Sequence, residues 1–128
     1  MGGKHILIID DESSIRLLLR KLFEHAGYQV SEAANALQVF SLDASASYDA
    51  IILDLRMPGI DGHKVLKSFK RDPKTSPPIL VFTSSSSEVE RRLTLSEGAD
   101  AFVSKPGDND TLLNTVAQLI ARRAAKPQ

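Results

Sequence analysis

Tyr48-Asp49-Ala50-Ile51-Ile52-Leu53-Asp54-Leu55-Arg56-Met57-Pro58-Gly59-Ile60-Asp61-Gly62 runs from an apolar strand to a turn, with an acid between them. Ile51, Ile52 and Leu53 are consecutive rather than alternating with polar residues, the mark of a strand covered on both faces, as parallel strands in α/β sheets are. The strand is expected over Tyr48 to Leu53 and ends at Asp54. Met57 to Gly62 is turn-forming by its proline and glycines. A short helix follows to about Arg71, with Val65, Leu66 and Phe69 on its inner face.

The same unit recurs on both sides. Toward the N-terminus, His5 to Ile9 is an apolar strand, and Glu12 to Ala26 has Ile15, Leu18, Leu19, Leu22 and Phe23 at helical spacing, with Gly27 where a helix-ending glycine belongs. Gln29 to Ala33 is a weaker strand, and Asn35 to Ala44 a helix with Asn35 as its cap. Toward the C-terminus, Asp72 to Pro78 is a loop by its prolines and Ile79 to Phe82 a third apolar strand. Glu88 to Glu97 is a strongly charged helix anchored only by Val89, Leu93 and Leu95, and so the candidate for the most mobile helix. Ala101 to Ser104 is a last strand, and Asp110 to Arg123 a helix with Leu112, Leu113, Val116, Leu119 and Ile120 inward.

Five strands alternating with five helices predict an α/β fold, a doubly wound parallel sheet with right-handed crossovers and helices on both faces. By analogy with flavodoxin-like sheets the expected strand order is 2-1-3-4-5, with a ligand site at the switch between strands 1 and 3. The length, 128 residues, suits a single domain over 1–128, with a core of about 4–124 and short flexible ends.

Composition narrows the function classes. Sixteen acidic residues balance sixteen basic ones, which gives no support for direct nucleic-acid or membrane-surface binding. There is no cysteine, so thiolate metal sites, cysteine nucleophiles and disulfide scaffolds are excluded. No apolar run approaches a membrane span and the N-terminus lacks a secretory signal's apolar region, so the expected location is cytoplasmic. His5, His25 and His63 lack metal-ligand spacing and read as surface or packing residues. Arg122, Arg123 and Lys126 read as cations complementing a helix C-terminus.

The polar residues collect at one edge. Asp10 and Asp11 follow the first strand, Asp54 the third, Thr83 the fourth, and Ser104-Lys105-Pro106 the fifth. Taken singly, each is more often a turn residue, a helix cap or a solvated charge. Taken together they fall at the carboxyl edge, where open α/β sheets bind ligands. Two bare carboxylates about 4 Å apart repel by roughly 4 kcal/mol at an effective dielectric near 20, so a cation belongs among them. Oxygen-only donors suit Mg²⁺ better than a soft metal, and Lys105 adds a further positive charge.

Along nearly its whole length the chain resembles the receiver domain of two-component response regulators. The matching segments are Ile8 to Glu12, Asp54 to Gly62, Val81-Phe82-Thr83 and Gly98 to Pro106, in that order. The resemblance implies that Asp54 takes a phosphoryl group from a histidine kinase or histidine phosphotransfer protein. It implies that Asp11 ligates Mg²⁺ (or Mn²⁺ as a substitute) directly, that Asp10 acts largely through water, and that Asp54 and the backbone carbonyl of Arg56 complete the set. Lys105 would pair with the phosphoryl oxygens, with a cis peptide before Pro106. Thr83 and Phe102 would be the switch pair, and Arg56 and Ser85 would tune the phosphoryl lifetime.

The implied protein is a phosphorylation-switched signalling module rather than an enzyme acting on free substrates. The last two helices and the fifth strand would meet partners or form a homodimer. The rival is a Mg²⁺-dependent phosphohydrolase with an aspartyl nucleophile, but such enzymes typically carry a second acid two residues later, where this chain has Arg56. A receiver-like module that is never phosphorylated is a third alternative, opposed by retention of all five site residues. Ser84 stands where alanine is commoner, Ala36 where glycine is frequent, and Gly107 where an apolar residue is usual, which is expected to loosen the start of the last helix.

Overall fold

The structure, a computed structural model, describes residues 3–42, 47–72 and 74–125. Its elements are β1 (His5–Ile9), α1 (Ser13–His25), β2 (Gln29–Ala33), α2 (Ala36–Phe40), β3 (Ala50–Leu53), α3 (Gly62–Phe69), β4 (Ile79–Thr83), α4 (Glu88–Ser96), β5 (Ala101–Ser104) and α5 (Asn109–Ala125). The strands form one parallel sheet in the order β2-β1-β3-β4-β5, as expected. Between β3 and α3, Arg56–Met57 pairs antiparallel with Ile60–Asp61 in a small ribbon that the turn sequence had not suggested.

Period-two alternation sends the strand side chains to two cores. Leu7, Ile9, Ile51, Leu53, Ile79 and Val81 face one side, where Val39 of α2, Val65 and Leu66 of α3 and, at the rim, Leu95 of α4 cover them. Ile6, Ile8, Ile52, Leu80 and Phe82 face the other, against Leu19 and Phe23 of α1 and Leu112, Val116 and Leu119 of α5. The central strands β1, β3 and β4 are almost fully buried and apolar, whereas the edge strands β2 and β5 are only partly buried, so the polar residues that matter fall at the strand ends.

Local chemistry sets the helix boundaries. Asn35 accepts from the Gln38 N–H at 2.9 Å, Asp61 from the His63 N–H at 3.0 Å, and Ser87 from the Glu90 N–H at 3.2 Å, each satisfying a donor that a helix start leaves unpaired. Gly62, the first residue of α3, lies so close to the segment after Asp54 that a Cβ there would stand 2.5 Å from Leu55 Cα. Only glycine lets α3 begin there.

Several expectations are corrected. Leu18 is 51% exposed, because α1 needs only a narrow stripe and Leu19 and Phe23 fill it. Val89 and Leu93 are 78% and 50% exposed, and the buried residue of α4 is instead Thr94, whose hydroxyl is satisfied by the Glu90 carbonyl at 2.7 Å. β3 starts at Ala50 rather than Tyr48, and β4 extends through Thr83. Gly107 has φ +63°, and a Cβ there would stand 3.0 Å from the Phe82 ring, so the turn before the last helix suits glycine. Ala44 of the expected second helix, Pro73, the expected flexible ends and Lys126 lie outside the described residues. Among the described residues, no helix is long and apolar enough to cross a membrane.

Candidate functional site

Register brings the acids together. Ile9 is level with Leu53 in the β1–β3 pairing, so Asp10 and Asp54 leave the sheet as neighbours. The Asp54 N–H still donates to the Ile9 carbonyl at 2.9 Å, and the Asp10 N–H to the Ala33 carbonyl at 3.1 Å, which fixes both backbones at the edge. Carboxylate oxygens of Asp10, Asp11 and Asp54 all lie within 4.8 Å of one another. Asp10 and Asp54 are buried while Asp11 is exposed. That graded exposure leaves the cluster open on one side.

Lys105 answers their charge from β5. Its backbone N–H donates to the Thr83 carbonyl at 2.7 Å, and its ammonium lies 2.9 Å from Asp10, 3.4 Å from Asp54 and 3.7 Å from Glu12. The peptide between Lys105 and Pro106 is cis, as the family resemblance implied. Burial raises the Asp54 carboxyl above the ordinary carboxylate range, and Asp10 adds to the rise. The Arg56 N–H and the Lys105 ammonium oppose it without cancelling it. Burial tends to lower the Lys105 ammonium, but the hydrogen bond and charge of Asp10, followed by Asp54 and Glu12, raise it overall. Lysine therefore stays charged among the acids.

Thr83 ends β4 with its side chain fully buried, and its hydroxyl has no hydrogen-bond partner among the described residues. A buried unpaired hydroxyl is costly, and such groups concentrate where a ligand supplies the missing partner. Phe102, paired in register with Val81, is half-buried at the rim of the core shared with α3 and α4. The Ser85 hydroxyl oxygen accepts from the Ser87 N–H at 3.2 Å, and its backbone carbonyl accepts from the Ser104 hydroxyl at 2.8 Å. Arg56 donates its backbone N–H to Asp54 at 3.1 Å while its side chain turns away to Glu90 of α4 at 3.2 Å.

The donor set fits a hard divalent cation. It offers three carboxylates and no soft atom, and the orphaned Thr83 hydroxyl and the Lys105 ammonium fit an oxyanion beside that cation. Sequence inspection did not find the outer residues. Arg16 donates to the Asp10 carbonyl at 2.8 Å and is itself held by Glu32 at 2.9 Å, and Arg20 meets the same Glu32 at 2.5 Å. Arg16 lies on the first turn of α1, six residues after Asp10, so a cation at the start of the helix that follows the acids was the signal that could have flagged it. Glu90 had no such signal, since its partner Arg56 is remote in sequence. His63, expected to be a surface or packing residue, instead takes a polar role, with Nδ1 against Glu97 and Nε2 4.0 Å from Glu90.

Residues 6–117 match the family model described as the response regulator receiver domain. The chain is 35% identical over 117 residues to the transcriptional regulatory protein ResD of Bacillus subtilis, covering 91% of this chain and 48% of that protein. It is 37% identical over 107 residues to the phosphate regulon transcriptional regulatory protein PhoB of Pseudomonas aeruginosa, covering 83% and 47%. The chain thus spans about half the length of these relatives. Among solved structures, the Francisella response regulator 1452 receiver domain superposes with a TM-score of 0.85 at 27% identity, covering 94% of this chain and 98% of that one. The Vibrio cholerae chemotaxis protein CheY4 does so with a TM-score of 0.82 at 29% identity, covering 92% and 99%.

Proposed function

The chain belongs to the response regulator receiver family of two-component systems, and we propose that its Asp54 accepts a phosphoryl group from a histidine kinase or histidine phosphotransfer protein. The observation that carries this is the convergence of Asp10, Asp11 and Asp54 within 4.8 Å, next to Lys105. A carboxylate oxygen of Asp54 forms the new bond to phosphorus as the donor's P–N bond breaks, and the electron pair stays on the donor nitrogen.

Asp10, Asp11, Asp54 and the backbone carbonyl of Arg56 would hold Mg²⁺, with Mn²⁺ as a substitute. When bound, the ion offsets charge on the transferring phosphoryl group. The rest falls to the chain's own residues. Lys105 pairs with phosphoryl oxygens, Thr83 gains the partner its hydroxyl lacks, and the β-strand ends hold these groups in place so that little reorganisation accompanies the transfer. Phe102 turns inward as the Thr83 hydroxyl moves, and Arg56 and Ser85 set how long the phosphoryl group survives. The outcome is a shift in the population of the α4–β5–α5 face, through which the domain meets partners or a second copy.

Residues 1–128 act as one receiver domain in the cytoplasm, with no direct nucleic-acid contact and with only self-directed chemistry at Asp54. A hydrolase of free phosphate esters is the weaker alternative, because Arg56 and not an acid stands two residues after Asp54 and pairs with Glu90. Intact-mass measurement after incubation with Mg²⁺ and a small phosphodonor tests the choice. The parent should gain one phosphoryl group and Asp54→Asn none. Steady turnover of unrelated phosphate esters would instead favour the hydrolase.

A further inference from the structure

Arg56 joins two parts of the molecule. Its backbone N–H donates to Asp54 at 3.1 Å, while its Nη2 reaches both carboxylate oxygens of Glu90, at 3.3 and 3.2 Å, on the first turns of α4. We propose that Glu90 is a positioning residue for the chemistry at Asp54, holding the Arg56 guanidinium against α4 in the unmodified domain and releasing it to the aspartyl phosphate. This rests on Asp54 being the phosphoacceptor.

The competition is uneven in the required direction. The Arg56 side chain is 60% exposed, and exposed pairs are weak and exchange readily. A phosphoryl group at Asp54 adds up to about two negative charges and three acceptor oxygens, for which a planar guanidinium is well suited. His63 Nε2 lies farther from Glu90, at 4.0 Å, than Arg56 does. Seven residues on, Glu97 is held separately by His63 Nδ1 and by Lys67 at 3.3 Å. The far end of α4 therefore stays tied to α3 when the near end is released.

The near end has little else to hold it. Val89 and Leu93 are exposed, and the helix's one fully buried residue is Thr94. The tie between Arg56 and Glu90 thus couples the seat of α4 to the survival of the phosphoryl group through one side chain. Loss of that group is hydrolysis: a water oxygen bonds to phosphorus, the bond from phosphorus to the Asp54 oxygen breaks, and the electron pair returns to the carboxylate. The protons of the water leave on dihydrogen phosphate. An arginine paired with the phosphoryl oxygens slows this by covering the face that water must reach.

The test follows decay of the phosphorylated mass after removal of the small phosphodonor, in the parent, Glu90→Gln, Glu90→Asp, Arg56→Ala and the Arg56→Ala/Glu90→Gln double variant. With its competitor neutralised, Arg56 should extend the lifetime about threefold in Glu90→Gln, the scale of an exposed pair. Glu90→Asp, which keeps the charge, should fall nearer the parent, and Glu90→Gln should change nothing once Arg56 is alanine. A parent-like lifetime in Glu90→Gln, or an undiminished effect in the Arg56→Ala background, overturns the coupling alone. A parent chain that never gains a phosphoryl group overturns the assignment of Asp54, and the coupling with it.

Discussion

The Lys105 ammonium donates to Asp10 at 2.9 Å across 95 positions of sequence. The contact joins the ends of β1 and β5, which are not neighbours in the sheet, over the ends of the strands between them. It answers the repulsion that three converging acids create, and it gives the site a cation of its own.

Removal of that cation should be costly in a metal-dependent way. Lys105→Met leaves Asp10 and Asp54 buried without a counter-charge, and the expected loss is about 3 kcal/mol in chelator. Saturating Mg²⁺ should recover much of it, because ligand binding stabilises the folded form by mass action. Urea denaturation with and without Mg²⁺ measures both. An equal deficit under the two conditions would mean that the divalent ion does not take up charge at this cluster.

The pH dependence of stability at Asp54 should run opposite to that of a salt-bridged surface acid. Burial raises its carboxyl above the ordinary 3.8, so between those two values the folded chain binds more protons than the unfolded one. Stability from this group is fully present below the lower value and is lost as pH rises through the upper one. Asp54→Asn should therefore be more stable than the parent at neutral pH in chelator, by about 1 kcal/mol, the usual scale for relieving a functional site. Thermal melts across pH 3 to 8 should show the two proteins converging at the acid end.

Thr83→Val should stabilise the unmodified domain. The change keeps the shape of the side chain and deletes a buried hydroxyl that has no partner, which is worth about 1 kcal/mol. The same variant should still accept a phosphoryl group but fail to transmit it to α4, as read by amide hydrogen exchange of that helix before and after phosphorylation. Loss of stability in Thr83→Val would show that the hydroxyl is satisfied in solution.

Two glycines near the site should separate space from backbone conformation. Gly62→Ala forces a Cβ within 2.5 Å of Leu55 Cα, and the loss should be about 3 kcal/mol or more. Gly59→Ala has φ +73° but nothing within 4 Å of the new atom, so only the left-handed conformation opposes it, at about 1 kcal/mol. Chemical denaturation of both variants gives the ranking.

The sequence by itself determined the strands, their alternation with helices, and the residues Asp10, Asp11, Asp54, Thr83 and Lys105 at one sheet edge. Those features follow from local periodicity, from turn and cap residues and from family motifs, all of which lie along the chain. Tertiary structure alone decided which side chains meet from distant elements: Arg56 with Glu90, Arg16 with the Asp10 carbonyl, and His63 with Glu97. It also decided that Leu18, Val89 and Leu93 face outward, because helical spacing names an apolar stripe but not how much of it the sheet can cover. The orphaned Thr83 hydroxyl belongs to the same class, since whether a buried group has a partner depends on everything packed around it.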